Sequence, residues 1–410
     1  MATAHKPATS TPLSGGPVAD PAAVPVPMSS GGTIIEAMPS EPEANKLFRM
    51  VMKHKGSDLH LKVGLPPCMR MGGTLRQMAL PPLTTAEMER LMYPIMTPRS
   101  RKILEDEGGA DFAHIVYDGK LETRFRVNLF RARGRLSLVA RRVSNSIPNF
   151  EQLGLPPIMA DLTQYEQGIV ILAGVTGSGK STTIASMLQY INERERMHIV
   201  TIEDPIEFTF TDDKSIINQR EIGIDVMDFH KSLKDAVRQD PDIILVGEMR
   251  DQDTFSAALH AAETGHLVFG TIHASSAPST ISRILDLFPR EMHAPLRQNM
   301  AFNLKAVVAQ KLLPTTKEYT EKTGSNRVPT NEIMRTNPII RKLILNEDDN
   351  KLGDAIRMGK EEGMQDFTES LRQLVVDEKI ERATAFEVAP SVEILKMALK
   401  GISLAQPGIL

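Results

Sequence analysis

The sequence predicts an α/β protein: a small α+β domain is followed by a larger α/β domain with a helical C-terminal extension. Two observations support this prediction. Short apolar runs alternate with amphipathic helical patterns between residues 169 and 272, and the first of these runs leads directly into a glycine-rich segment. Such alternation is typical of a parallel sheet with helices on both faces.

Changes in composition divide the chain into five segments: 1–40, 41–143, 144–157, 158–330 and 331–400. The first is rich in Pro, Ala, Ser, Thr and Gly, so we expect a disordered tail. The third holds three prolines and is predicted to be a hinge between the two domains. In the last segment one apolar helix face is formed by Met364, Phe367, Leu371, Leu374 and Val375.

The small domain combines helical and strand patterns. Leu47, Met50 and Val51 recur at helical spacing, and a second helix is expected near 85–96. Alternating hydrophobicity predicts strands, the last two forming a hairpin around Arg-Ala-Arg-Gly-Arg: 58–63, 123–130 and 136–143.

In the larger domain the hydrophobic period changes repeatedly, which predicts strand 169–173, helix from 179, strand 198–202, helix 229–239, strand 242–247, helix 253–263 and strand 267–272. From about Thr280 onward we expect helices. Ligands of such sheets bind at the carboxyl ends of the strands. Residues that follow strands are therefore the first candidates for a functional site.

Composition limits the classes of function. With 410 residues, a net charge of -3 and a pI near 6.4, the chain has no overall attraction to nucleic acid. Cys68 is the only cysteine, which excludes an internal disulfide and a zinc site built from several thiolates of one chain. Since no signal-peptide pattern or apolar span of ~18 residues is found, we expect a cytoplasmic protein whose link to a membrane depends on a partner.

The glycine-rich segment from Gly174 to Ser181 reads G-x-x-x-x-G-K-S between a strand and a helix. This pattern predicts a phosphate-binding loop, because backbone N–H groups and the helix N-terminus attract phosphate oxygens. Lys180 would neutralise the β- and γ-phosphates, and Ser181 would bind Mg²⁺. ATP and Mg²⁺ are therefore the expected cofactors. The candidate nucleotide-binding residues are Gly174, Thr176, Gly177, Ser178, Gly179, Lys180, Ser181 and Thr182.

Carboxylates follow two of the predicted strands. Asp204 and Glu207 come after strand 198–202, and Glu248 comes after strand 242–247. ATP hydrolysis needs one carboxylate near Mg²⁺ and another that orients or deprotonates the attacking water. Glu248 and, more weakly, Asp204 are candidates for the metal. A helix cap or a solvated turn is the alternative interpretation of the first group.

Two histidines flank the last predicted strand. Seven residues of strand separate His266 from His273 by roughly 20 Å, so both cannot contact one γ-phosphate. His273 follows the carboxyl end and is the candidate for contact with the γ-phosphate. For His266 the sequence leaves a structural and a functional role open.

Arginines are concentrated in the predicted hairpin of the small domain. Arg124 and Arg126 share one face of a strand, and Arg141 and Arg142 lie on the next strand. A guanidinium can stabilise charge on a transferring phosphoryl group, and such an arginine often comes from another subunit. A solvated strand face is the alternative.

These motifs together resemble the secretion-superfamily ATPases and, within them, the type IV pilus retraction (twitching motility) ATPases of the PilT/PilU type. The similar segments are Thr201-Ile-Glu-Asp-Pro-Ile-Glu-Phe208, Asn218-Gln-Arg-Glu221, Val246-Gly-Glu-Met-Arg-Asp251 and Ala261–His273, together with the phosphate loop. Gly56-Ser-Asp-Leu-His-Leu and Gly363-Met-Gln365 also match the retraction subgroup.

The resemblance implies a PAS-like N-terminal domain and a RecA-like ATPase domain, assembled as a homohexamer at the cytoplasmic face of the inner-membrane pilus base. It implies an inner-membrane platform protein and a paralogous motor ATPase as candidate partners. It also implies roles for six side chains. Lys180 matches the Walker A lysine, Glu207 the catalytic glutamate, Glu248 the Walker B glutamate and His273 a His-box histidine. Arg126 and Arg141 match the two paired arginines. His266 matches the other His-box histidine.

One departure from the family leaves the role open. The subgroup's C-terminal retraction motif is matched only loosely by residues 339–346. An accessory motor, an ATP-binding scaffold that modulates another motor, and a RecA-like nucleic-acid translocase remain as alternatives. The single cysteine argues against the assembly ATPases, which usually carry a tetracysteine zinc site.

Overall fold

The computed structural model describes residues 41–119 and 121–402. The tail predicted at 1–40 lies outside the described residues. Within the described part of the chain, no helix combines the length and the apolar character that a membrane crossing requires.

The small domain is a six-stranded antiparallel sheet with three helices. The strand order is β3-β2-β1-β6-β5-β4. The strands are β1 (Asp58–Lys62), β2 (Cys68–Met71), β3 (Thr74–Gln77), β4 (Gly109–Asp118), β5 (Leu121–Ala132) and β6 (Arg135–Arg142). The helices are α1 (Asn45–Lys53), α2 (Thr85–Met92) and α3 (Pro98–Glu107).

Local sequence explains several of these boundaries. Thr84 and Glu87 form a capping box that starts α2, and Gly108 ends α3 in the left-handed conformation. The predicted hairpin turns at Arg133 and Gly134, whose φ angles are 52° and 76°. Two successive positive φ values are typical of the tight turns that join twisted antiparallel strands.

The larger domain contains a seven-stranded sheet in the order β13-β12-β7-β11-β10-β8-β9. Six strands are parallel, and only β13 runs antiparallel, at one edge. The strands are β7 (Gly168–Ala173), β8 (His198–Glu203), β9 (Ile216–Glu221), β10 (Ile243–Val246), β11 (Leu267–Ile272), β12 (Leu304–Pro314) and β13 (Arg327–Arg335).

Helices cover this sheet and follow it along the chain as far as Leu399. They are α4 (Phe150–Leu153), α5 (Ile158–Leu162), α6 (Lys180–Asn192), α7 (Phe229–Ala236), α8 (Gln252–Glu263), α9 (Ala277–Leu285), α10 (His293–Asn303), α11 (Lys317–Thr323), α12 (Pro338–Leu345), α13 (Leu352–Met358), α14 (Phe367–Val376), α15 (Arg382–Val388) and α16 (Val392–Leu399).

The core explains why β7 is apolar at every position. Ile169 and Ile171 pack on one face of the sheet with α8, α9 and α10, whereas Val170 and Leu172 pack on the other face with α5 and α6. A strand buried on both faces needs a continuous hydrophobic run. The predicted α/β fold, with a parallel sheet covered on both faces, is confirmed.

The prediction that the chain is helical from about Thr280 is wrong at β12 and β13. The segment that forms β12 contains Ala, Lys, Gln and Leu, which are good helix formers. It forms a strand because it pairs in parallel with β7. Tertiary pairing outweighs local propensity here, and the same applies to the polar strand β9, which the sequence analysis did not predict.

Candidate nucleotide-binding site

The predicted phosphate loop connects β7 to α6. Gly174, Gly177 and Gly179 have φ angles of 154°, 77° and 88°. A Cβ atom at Gly174 would lie 2.6 Å from the carbonyl oxygen of Gln310, and one at Gly179 would lie 2.8 Å from Gln310 Nε2. Because both glycines touch Gln310 closely, a side chain at either would displace the loop.

The side chain of Gln310 in β12 takes part in three hydrogen bonds, one of which holds the phosphate loop. Its Nε2 donates to the carbonyl of Ser178 at 2.7 Å, and its Oε1 accepts from Thr183 Oγ1 and Asn331 Nδ2, both at 2.9 Å. Gln310 is 2% exposed and Asn331 is 1% exposed. Buried amides of this kind stabilise a structure when every donor and acceptor is paired.

The same network extends to the C-terminal helices. The backbone N–H of Asn331 donates to Ser370 Oγ of α14, and Gln365 Nε2 donates to the carbonyl of Asn331. The phosphate loop is therefore joined through two strands to the Gly363-Met-Gln365 segment, one of the segments that match the retraction subgroup.

Lys180 is the first residue of α6 and reaches back across the loop. Its Nζ donates to the carbonyl oxygens of Gly174 at 2.8 Å and Val175 at 3.0 Å. Burial lowers the pKa of Lys180, while the carboxylates of Glu248 and Glu207 act in the opposite direction. The ammonium therefore lies within the field of both predicted catalytic acids.

Glu248 follows β10 and makes two polar contacts. His273 Nε2 lies 3.1 Å from Glu248 Oε1, and Arg250 Nη2 donates to Oε2 at 2.7 Å. Burial alone would raise the pKa of Glu248, but the bond to Arg250 and the charges of Arg250, His273 and Lys180 hold it below its usual value. Glu248 is thus an anion at neutral pH, and His273 is close enough to pair with it.

A cavity of about 480 Å³ collects most of the predicted residues. Its lining includes Thr176, Gly177, Gly179, Lys180, Ser181, Thr182, Asp204, Glu207, Glu248 and His273. Gly174 and Ser178 are outside this lining, and they shape the loop from behind. Ser178 Oγ is buried without a hydrogen-bond partner.

The residues around the cavity also fit Mg²⁺. Among residues 41–119 and 121–402, no cluster of three His, Cys, Asp or Glu side chains could hold a metal by itself. Mg²⁺ normally keeps several waters and takes one or two protein ligands together with nucleotide phosphates, so no such cluster is required. Ser181, Glu248 and Asp204 line the same cavity.

Arg126 and Arg141 lie opposite each other on β5 and β6, outside the lining of the cavity. Arg141 Nε donates to Asp58 Oδ1 at 2.8 Å, yet the Arg141 side chain is 74% exposed. Burial would raise the pKa of Asp58, but its bonds to Ser57 and Arg141 lower it below its usual value. A role for these arginines in the site of another subunit stays a prediction.

His266 lies away from the nucleotide cavity. Its Nδ1–H donates to the carbonyl of Ala261 at 2.8 Å, and its ring lines a separate cavity of about 570 Å³ with Tyr165 and Tyr190. The separation of the two histidines expected from their spacing is therefore observed.

Sequence reasoning missed several residues that support the site. The local sequence gives no signal for Gln310 or for Glu203, although Glu203 lines the cavity. Removal from solvent raises the pKa of Glu203 to about 7. Gln219 and Glu221 of β9 contact the segment that carries Glu207. Their motif was visible in the sequence, but its function depends on strand pairing.

The strand–loop–helix and the carboxylates at the ends of neighbouring strands define a P-loop nucleotide triphosphate-binding protein. A family model described as "Type II/IV secretion system protein" matches residues 35–379. The chain therefore belongs to the Type II/IV secretion system protein family. Similar proteins and structures agree with this assignment.

The chain is 41% identical to the type IV pilus retraction ATPase PilT of Pseudomonas aeruginosa over 347 residues, which covers 85% of this chain and 98% of that protein. It is 34% identical to the type IV pilus ATPase PilU of the same organism, covering 87% and 91%. The crystal structure of the pilus retraction motor PilT with bound ADP superposes with a TM-score of 0.76 at 38% identity, covering 85% and 97%.

These findings confirm the resemblance and the ATPase class predicted from the sequence. They also confirm the predicted fold class, an N-terminal domain followed by a RecA-like ATPase domain.

Proposed function

We propose that this chain is a motor ATPase that couples ATP hydrolysis to retraction of a type IV pilus. The main support is the likeness to PilT, which covers 85% of this chain and 98% of that protein. The cavity adds chemical support, because the phosphate loop, Glu207, Glu248 and His273 line one space.

The loop amides and Lys180 bind the phosphates of ATP, and Ser181 and Glu248 hold Mg²⁺ and its water shell, with Asp204 beside them. Bound Mg²⁺ neutralises charge on the phosphates. Glu207 orients the attacking water, and His273 contacts the γ-phosphate. Glu248 contacts both His273 and Arg250, so loss of the γ-phosphate beside His273 changes the surroundings of all three side chains.

Mechanical work requires that ATP and its hydrolysis products stabilise different domain arrangements. The chain acts as a homohexamer in which Arg126 and Arg141 of the small domain approach the nucleotide of a neighbouring subunit. The ring acts in the cytoplasm at the inner-membrane pilus base, where a platform protein transmits its movement. The exposed Arg141 side chain supports this role, because it is available to another subunit.

An accessory role beside a second motor is the other candidate function. The loose match of residues 339–346 to the retraction motif favours it, and the chain is also 34% identical to PilU over 87% of its length. Deleting the gene and following pilus extension and retraction by microscopy distinguishes the two. A primary motor is required for retraction, whereas an accessory motor is required only for its normal force or frequency.

The biochemical test compares the purified wild type with Glu207→Gln and Lys180→Ala. We expect Glu207→Gln to lower kcat at least about 100-fold, as loss of a general base does, while ATP affinity is retained. Lys180→Ala should abolish binding and fail to complement the deletion. Hydrolysis by Glu207→Gln at the wild-type rate, or complementation by Lys180→Ala, would contradict the proposal.

A further inference from the structure

The segment that carries Glu207 is fastened to β9 by two side chains that share one face of that strand. Gln219 Nε2 donates to the carbonyl of Phe208 at 2.8 Å, and Gln219 Oε1 accepts from the backbone N–H of Phe210 at 3.0 Å. Glu221 Oε2 accepts from the backbone N–H of Ile206 at 3.2 Å. The chain immediately before and after Glu207 is therefore held by β9.

The small domain contacts the same carboxylate. Arg124 Nη2 of β5 donates to Glu221 Oε2 at 2.9 Å, and the two side chains are 14% and 7% exposed. One carboxylate oxygen thus joins the small domain to the residue that precedes Glu207. Ion pairs with so little exposure are only weakly screened by salt.

The linker between the domains adds a second connection. Ser144 pairs with Phe208 in an isolated parallel bridge, and its carbonyl accepts from the backbone N–H of Thr209 at 3.0 Å. The backbone N–H of Val143 in turn donates to the carbonyl of Arg124 at 2.9 Å. Residues on both sides of Glu207 are therefore attached to the small domain.

This arrangement makes Glu221 sensitive to the position of the small domain. If the domain moves and withdraws Arg124, a largely buried carboxylate loses its cationic partner. A buried charge without a partner is unfavourable, so Glu221 must turn toward solvent or another donor. Either change weakens its bond to Ile206 and frees the backbone next to Glu207.

We propose that Arg124 and Glu221 are positioning residues, which align Glu207 with the attacking water only when the small domain is docked. The inference rests on the proposed role of Glu207. Positioning by Arg124 and Glu221 makes hydrolysis, but not nucleotide binding, depend on the arrangement of the two domains. Misplacement of a catalytic group by about 1 Å is enough to slow a reaction roughly 100-fold.

The test measures kcat, KM and the affinity for a fluorescent ATP analogue on the purified full-length protein. We expect Arg124→Gln and Glu221→Gln each to lower kcat at least about tenfold while KM and analogue affinity change less than about twofold. The double variant should lose no more than either single variant, because both act through one contact. Arg124→Lys keeps the charge and should recover part of the rate.

Arg131→Gln is the matched control, since Arg131 is an exposed arginine on the same strand and its side chain donates to the carbonyl of Gly134 in the hairpin turn, not to Glu221. It should behave as the wild type. In a Glu207→Gln background, measured by single turnover, Arg124→Gln should cause no further loss.

Three results would overturn the inference: an Arg124→Gln rate equal to that of Arg131→Gln, a parallel loss of analogue affinity, or a further loss in the Glu207→Gln background. A single Glu207→Gln variant that hydrolyses ATP at the wild-type rate would instead contradict the proposed function, and this result is distinct from the three above. Thermal unfolding of each variant checks folding, and Arg124→Lys carries the test if Arg124→Gln does not fold.

Discussion

The two sides of the nucleotide cavity are held by different kinds of contact. The phosphate loop is held by a buried, uncharged hydrogen bond from Gln310, whose side chain is in turn held by Thr183 and Asn331, all within the ATPase domain. The segment around Glu207 is held by the amide of Gln219 and the carboxylate of Glu221, and that carboxylate is paired with Arg124 of the small domain. The first support does not change when the small domain moves, whereas the second does.

The two sides of the cavity therefore control different steps, namely ATP binding and hydrolysis. A loop that is preorganised by its own sheet can bind ATP in every arrangement of the domains. An acid segment that depends on another domain can be aligned in one arrangement only. A motor needs both properties, because it must retain ATP while the domains move and hydrolyse it at one point of the cycle.

Gln310→Leu should have the largest effect on the phosphate-loop side. It leaves Ser178, Thr183 and Asn331 without their partners, and each unpaired buried group costs about 1–3 kcal/mol. We expect the free energy of unfolding to fall by about 4 kcal/mol and ATP affinity to fall with it, as measured by urea denaturation and analogue binding. Gln373→Leu, at an exposed glutamine of α14, is the control and should change neither.

A stable Gln310→Leu variant with unchanged ATP affinity would contradict the idea that this side of the cavity depends on the buried network. If Gln310→Leu lowered kcat and left ATP affinity unchanged, the two sides of the cavity would not differ in the step that they control.

Glu203, on the side of the cavity that carries Glu207, should make the free energy of unfolding depend on pH. Burial raises its pKa to about 7 in the folded protein, above the ordinary value of 4.5 that we assume for the unfolded chain. The folded state therefore binds the proton more tightly, and this contribution to stability is complete below pH 4.5 and disappears as the pH rises through 7. The change amounts to about 3 kcal/mol for a shift of this size.

The measurement is the free energy of unfolding of the wild type and of Glu203→Gln between pH 5 and 8. The difference between them should shift in favour of Glu203→Gln as the pH rises, since the amide carries no titratable proton. A difference that stays constant over this interval would mean that Glu203 is ionised in the folded protein throughout it, and would contradict the raised pKa.

The sequence predicted the parts of the site that depend on local chemistry. The phosphate loop needs glycines at fixed positions between a strand and a helix, so Gly174 to Ser181 could be recognised directly. Glu207, Glu248 and His273 could be found because each follows a strand of a parallel sheet, and the structure brings them to one cavity.

The supporting residues could not be predicted in this way. Gln310 lies in β12, whose sequence favours a helix until it pairs with β7. Gln219 and Glu221 lie in a polar strand without a strong alternating pattern, which exists because it pairs with β8. Arg124 looked like one member of an arginine-rich strand, and only the contact with Glu221 distinguishes it from Arg126.

The most direct test of the account is a crystal structure of the protein with a non-hydrolysable ATP analogue. We expect the β- and γ-phosphates to contact the backbone N–H groups of the loop from Gly174 to Ser181 and the ammonium of Lys180, with Glu207 facing the γ-phosphate and Arg124 paired with Glu221. An analogue bound outside this loop, or Glu207 turned away from the γ-phosphate while Arg124 and Glu221 remain paired, would contradict it.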